Sequence, residues 1–177
     1  MPDAAIFDLD RTLIAGGTGR VFQRHLREAG VGPDRELPLG RALYRLFEVA
    51  GENPLSMQFL RLGVRATRGW PVDAVRAAAE KAADELVEAM PAYARLTIDE
   101  HRDAGRMVVL ATTTPLDLVG PLADRLGFDG VVATRWAREA DEYAGRLDGP
   151  FVWGRGKLGA VRAWAVAVGV DLRRCWA

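Results

Sequence analysis

The chain has 177 residues, 49% of them hydrophobic, with Lys+Arg and Asp+Glu equal at 24 each, enough for one sizeable core plus a small insertion. Zero net charge supplies no overall field toward nucleic acid or an anionic membrane, so any charged ligand must be held by local groups. The single Cys175 excludes an internal disulfide framework, no apolar run approaches the ~18 residues of a membrane span, and Met1-Pro2-Asp3 lacks the stretches of a signal peptide, which together point to a cytoplasmic protein.

In chain order, Ala4 to Asp8 is a short apolar run that ends abruptly in acids, as expected of a buried parallel strand whose C-terminal end opens into a site. The next such run, Met107 to Thr112, comes late and breaks into Thr113-Thr114-Pro115. Between them the sequence reads as successive helices: Pro38, Pro54 and Pro71 each precede an apolar-periodic stretch, Asn53 is a cap, and Gly51 and Gly69 are stops. Gly105 ends the last helical pattern before the second strand. A helix over Leu116 to Leu126 and a strand over Gly130 to Thr134 complete a βαβ unit. Glu142 to Val152 then reads as a hairpin turning at Asp148-Gly149. A helix follows from Gly156-Lys157 to Val168, and Leu172 to Ala177 enters another strand. The fold class is α/β, a doubly wound and mostly parallel sheet, with a helical insertion that belongs over the carboxyl ends of the strands, where ligands bind in such sheets.

Phe7-Asp8-Leu9-Asp10-Arg11-Thr12-Leu13 carries the chemistry. Two carboxylates two residues apart at a buried strand's exit repel each other and are costly to desolvate unless a cation lies between them. Mg²⁺ suits that place, because it takes a few carboxylate oxygens and completes its shell with water and substrate phosphate. Of the 24 basic residues only Lys81 and Lys157 are lysines, so a Lys here marks a position where a compact ammonium is wanted. A Lys in a helix's first turn also runs against the helix dipole, so Lys157 gains little there structurally. His101-Arg102-Asp103 lacks the Asn of a kinase catalytic loop and reads as a polar helix end. Gly154-Arg155-Gly156-Lys157 is not a nucleotide-binding loop, since Phe151 stands where the first Gly belongs. His25 reads as part of an exposed helix face.

These motifs together resemble the haloacid dehalogenase superfamily of phosphohydrolases. Asp8 and Asp10 match its first motif, D-x-D-x-T after an apolar strand, and Thr112 and Lys157 stand where it has its second and third. The insertion between the first and second motifs resembles the branch that includes phosphoserine phosphatase and related small-molecule phosphatases. The resemblance implies Mg²⁺-dependent hydrolysis of a small phosphorylated metabolite, with Asp8 as nucleophile and Asp10 as acid and base. It further implies Thr112 and Lys157 on the phosphate, and Mg²⁺ held by the Asp8 carboxylate and the Asp10 carbonyl. The core would be residues 1–14 and 105–177, the helical cap with its linkers 15–104.

Two departures accompany the resemblance. No fourth, acidic motif is present before Ala177, so the sequence is expected to be a C-terminally truncated form with an incomplete sheet and doubtful activity of its own. No Glu lies in Ala15 to Arg20, so specificity for phosphoserine does not carry over. A signalling receiver domain, the competing reading from another class, requires adjacent acids after the first strand and lacks a cap. A non-catalytic descendant that binds a phosphorylated ligand or a protein partner is the alternative on the same fold.

Overall fold

The computed structural model describes residues 3–32, 58, 60–61 and 63–177. Strand β1 (Ala4–Phe7) is followed by α1 (Gly19–Glu28), α2 (Val72–Glu88) and α3 (Ala92–Asp103). Then come β2 (Met107–Pro115), α4 (Leu116–Arg125), β3 (Gly130–Thr134), β4 (Trp136–Glu139), β5 (Glu142–Leu147) and α5 (Arg155–Val168). Pro71 and Gly69 fall where expected, Pro71 preceding α2 in extended backbone. The helix starts at Pro38 and Pro54, the Asn53 cap and the Gly51 stop lie outside the described residues.

The main sheet has the order β1-β2-β3, all parallel, with Phe7 opposite Leu110 and Thr112 opposite Ala133. Strand β2 shows why it must be covered on both faces. Successive strand residues point to opposite sides, and here both sides are apolar. Val108 and Leu110 enter one core with Leu9, Leu86, Val119 and Leu122, while Val109 and Ala111 enter another with Ala4, Val132, Val161 and Ala165. Each fully buried Val or Leu contributes about 1.5–3 kcal/mol, so this alternation commits helices to both faces. The first core draws on α2, α3 and α4, the second on α5. In α2 the buried stripe is Val75, Ala78, Ala79, Ala82, Ala83 and Leu86. That spacing is one helical face, and its small residues leave room for α1 and α4, against which α2 packs.

Where Leu172 to Ala177 is expected to enter a strand, Leu172–Arg174 instead forms a 3-10 turn, and Trp176 then meets the sheet at an isolated bridge. Ile6 N–H donates to Trp176 O at 2.8 Å and Trp176 N–H to Ala4 O at 3.0 Å, a parallel bridge on the edge of β1 opposite β2. Among the described residues no helix is long and apolar enough to cross a membrane.

Two further expectations are corrected. The hairpin turns at Ala140-Asp141, not at Asp148-Gly149. It pairs β4 with β5 antiparallel, and Ala140 takes φ 53° in the turn. Trp136 and Tyr143 decide this register by stacking edge-on at 5.2 Å over the first core, whereas Gly149, at φ 99°, bends the link toward α5. His25 is not on an exposed face. Its ring nitrogens lie 3.1 Å from a Glu28 oxygen and 3.0 Å from a Glu85 oxygen, tying α1 to α2.

Candidate active site

Asp8 follows β1 directly, and its Oδ1 accepts the Leu9 N–H at 2.8 Å. The chain then turns tightly, the N–H groups of Leu13 and Ile14 both donating to Leu9 O at 3.0 and 3.1 Å. Arg11 adopts φ 63° in this turn, a left-handed conformation that is uncommon outside glycine. Its N–H donates to Gly16 O at 3.1 Å, and Tyr93 of α3 donates its hydroxyl hydrogen to Thr12 O at 3.1 Å. Leu9 and Leu13, fully buried, anchor the turn in the first core.

The turn brings the second acid back against Thr18. Thr18 N–H donates to Asp10 Oδ1 at 2.6 Å, and Thr18 is itself buried at 1% exposure. Burial pushes the Asp10 carboxyl above the usual carboxylate range; the Thr18 backbone and side chain oppose that rise, Asp8 adds to it, and Lys157 opposes it. Desolvation thus outweighs the bonds that favour the charged form.

Lys157 arrives from the far end of the sequence. It sits in the first turn of α5, and its Nζ lies 3.0 Å from Asp8 Oδ1 with the two side chains 23% and 41% exposed. Thr112, buried at 1%, is on β2 two residues beyond the partner of Phe7 and still paired with Ala133 of β3. Its Oγ1 accepts the Thr114 N–H at 3.1 Å. Of the four residues picked from sequence, Asp8, Asp10 and Lys157 thus interact at the carboxyl end of β1, and Thr112 lies in the C-terminal half of the neighbouring strand β2. Thr18, Thr113 and Thr134, which sequence reasoning missed, bond Asp10 and the loop before α5. Nothing local marks them beyond a hydroxyl near a strand or helix end. An open cleft of about 450 Å³ elsewhere is lined by Asp117, Arg135, Trp136 and Arg138 among others, and by none of these four.

Among the described residues no three His, Cys, Asp or Glu side chains cluster into a metal-binding group. What the turn offers is hard oxygen donors in small number, the Asp8 carboxylate and the Asp10 main-chain carbonyl. That set fits Mg²⁺, which is held by one or two carboxylates plus water and phosphate.

A parallel sheet wound on both faces, with two acids at the exit of its first strand and a lysine reaching the first of them, is an α/β fold whose charged groups lie at the carboxyl edge where such sheets bind ligands. The haloacid dehalogenase-like hydrolase family model matches residues 5–177, and the chain belongs to that family. It is 32% identical over 178 residues to the inhibition of morphological differentiation protein of Streptomyces azureus, covering 98% of this chain and 64% of that one. It is also 32% identical over 179 residues to a Mycobacterium tuberculosis protein named phosphoserine phosphatase, covering 98% of this chain and 58% of that one. The chain thus spans about three fifths of the length of these curated relatives. Solved structures share the fold, among them these two. One is a Bordetella pertussis protein of unknown function, at TM-score 0.77 and 20% identity over 99% of this chain and 79% of that one. The other is a phosphoserine phosphatase in a phospho-aspartyl intermediate analogue, at TM-score 0.64 and 22% identity over 98% of this chain and 76% of that one.

Proposed function

We propose that this chain carries the nucleophile and the charge-stabilising groups of a phosphatase that hydrolyses the phosphate monoester of a small molecule through an aspartyl-phosphate at Asp8. The 3.0 Å contact of Lys157 Nζ with Asp8 Oδ1 carries the reading. It joins a carboxylate to the cation that offsets its repulsion of a phosphate, at the sheet edge where such folds bind ligands.

In the first step an Asp8 oxygen bonds to phosphorus as the bond from phosphorus to the leaving oxygen breaks, and Asp10 gives that oxygen its proton. Water then attacks phosphorus, Asp10 takes the proton, and the bond from phosphorus to Asp8 breaks, restoring the carboxylate. Burial supports this role, because a raised Asp10 pKa keeps more of the acid form at the start. Thr112 and Lys157 contact the oxygens of the transferring group, where charge stabilisation dominates the rate. The chemistry Mg²⁺ supplies at Asp8 and the Asp10 carbonyl is positive charge that draws nucleophile and phosphate together. Of residues 15–104, α3 packs on β2 and goes with the hydrolase core of residues 1–14 and 105–177, while the rest of that span supplies the cap that selects the substrate. A relative named phosphoserine phosphatase supports a small phosphorylated metabolite as substrate, while the absence of a Glu from Ala15 to Arg20 argues against phosphoserine itself.

The test is phosphate release from an aryl phosphate and from a panel of small phosphorylated metabolites, with and without Mg²⁺, by the chain and by a form extended at its C-terminus. Release that EDTA abolishes, with an acid-trapped, hydroxylamine-labile phosphoprotein, is the expected result. No release from any of them with Mg²⁺ overturns the proposal.

A further inference from the structure

Lys157 is delivered by a helix start with two glycines before it, and the two are there for different reasons. Gly154 takes φ 52° and ψ −123°, a conformation that needs glycine. Gly156 has no positive φ. It lies inside α5, where helix propensity favours Ala over Gly. Space explains it: a Cβ at 156 would fall 2.2 Å from Phe151 O and 3.4 Å from Phe151 C.

The Phe151 carbonyl has little freedom to retreat. Val152, the next residue, is buried and is held from two strands: its N–H donates to Thr134 Oγ1 at 3.2 Å, and its O accepts from Thr113 Oγ1 at 2.9 Å. The Trp153 N–H donates to Phe151 O at 2.9 Å, and Trp153 O in turn accepts Gly156 N–H at 2.9 Å and Lys157 N–H at 3.3 Å. The loop is therefore locked both to the sheet and to the helix start. A methyl at 156 must move from 2.2 Å to at least 3.0 Å, which real Cβ atoms keep from such neighbours, and the element able to yield is the first turn of α5.

We propose that Gly156 is a positioning residue for Lys157: the missing side chain lets the first turn of α5 lie against the Phe151 carbonyl, and that closeness brings the ammonium to Asp8. The inference rests on the phosphatase reading above. Thr113 and Thr134 belong to the same device, because they fix the carbonyl against which the helix is set.

The experiment is steady-state hydrolysis of an aryl phosphate with Mg²⁺ by the wild type, Gly156→Ala, Lys157→Ala, the double variant, and Gly159→Ala. Gly159 is in the same helix with open space around its Cα. Gly156→Ala is expected to lower kcat on the order of 10²-fold, the cost of about 1 Å of misplacement. In the Lys157→Ala background the same change should alter kcat by less than about twofold, because it acts through a side chain no longer present. Gly159→Ala should match the wild type. Retention of more than half the kcat in Gly156→Ala, or an equal fold-loss with and without Lys157, overturns the proposal, since a merely structural defect would lower both backgrounds alike. Should Gly156→Ala not fold, Thr134→Val carries the test: a kcat loss confined to the background that keeps Lys157 supports the proposal, and an equal loss in both overturns it. A wild type no faster than Asp8→Asn removes the phosphatase reading itself, and with it the proposal.

Discussion

Replacing Lys157 separates what its ion pair does for stability from what it does for chemistry. At 3.0 Å, two unit charges attract by about 5.5 kcal/mol at an effective dielectric of about 20, and by about 1.4 kcal/mol in bulk water. Asp8 is 41% and Lys157 23% exposed, so solvent screening and the entropy of holding a long side chain reduce the net worth in folding to about 0–1 kcal/mol. Charge that develops on a transferring phosphoryl group is different, because the ammonium is already in place and need not reorganise. Removing one such preorganised group costs about 10²- to 10³-fold in kcat, or roughly 2.7–4 kcal/mol. Lys157→Ala is therefore expected to leave thermal unfolding within a few degrees of the wild type while kcat falls by that factor. Lys157→Arg should also fall well short of the wild type, because a planar guanidinium has a different reach and geometry. Thermal melts run beside phosphate-release kinetics measure both. A kcat for Lys157→Ala within about threefold of the wild type, or a loss explained by the fraction of unfolded protein, would refute the reasoning.

Asp8→Asn should abolish turnover and leave no trapped phosphoprotein, and as much as about a tenth of normal kcat would remove Asp8 as nucleophile. Asp10→Asn should slow turnover by about 10²- to 10⁴-fold, the usual worth of a positioned acid and base, and unchanged turnover would take Asp10 out of the mechanism. The same variant has a pH signature in stability. Burial raises the folded pKa of Asp10 above its ordinary 3.8, so the folded chain holds that proton more tightly than the unfolded one, and stability falls as pH rises from 3.8 through the folded value. Asn does not titrate, so the melting temperature of Asp10→Asn minus that of the wild type, measured in EDTA, should grow across that window; a constant difference would contradict the burial argument. Gly130→Ala tests the packing of α5 on β3. The added Cβ would sit 3.0 Å from Trp164 Nε1 and 3.3 Å from Cε2, an overpacking expected to cost about 1–3 kcal/mol in denaturant unfolding and to be partly relieved by Trp164→Leu.

What the sequence determines by itself is whatever local pattern can encode. The unbroken apolar runs that become β1, β2 and β3 require a sheet covered on both faces, and Asp8 and Asp10 mark its functional edge because paired acids after a buried strand have little structural use. The rarity of lysine singles out Lys157 in the same way. Signals that serve several structures equally well do not decide between them. Asp148-Gly149 permits a hairpin but also a bend into a helix, and the choice falls to Trp136 and Tyr143, which stack only when β4 pairs with β5. His25 shows no sequence sign of Glu85, which α2 brings to it from the far side of the insertion. Thr18 at Asp10, and Thr113 and Thr134 on Val152, acquire their partners only once separate elements have packed. The same holds for the space that Gly156 leaves beside Phe151. Hydrogen bonds and steric fit act over a few ångströms in space and are blind to separation along the chain. Periodicity and turn chemistry therefore set the elements, while the distance from Lys157 to Asp8 exists only in the folded molecule.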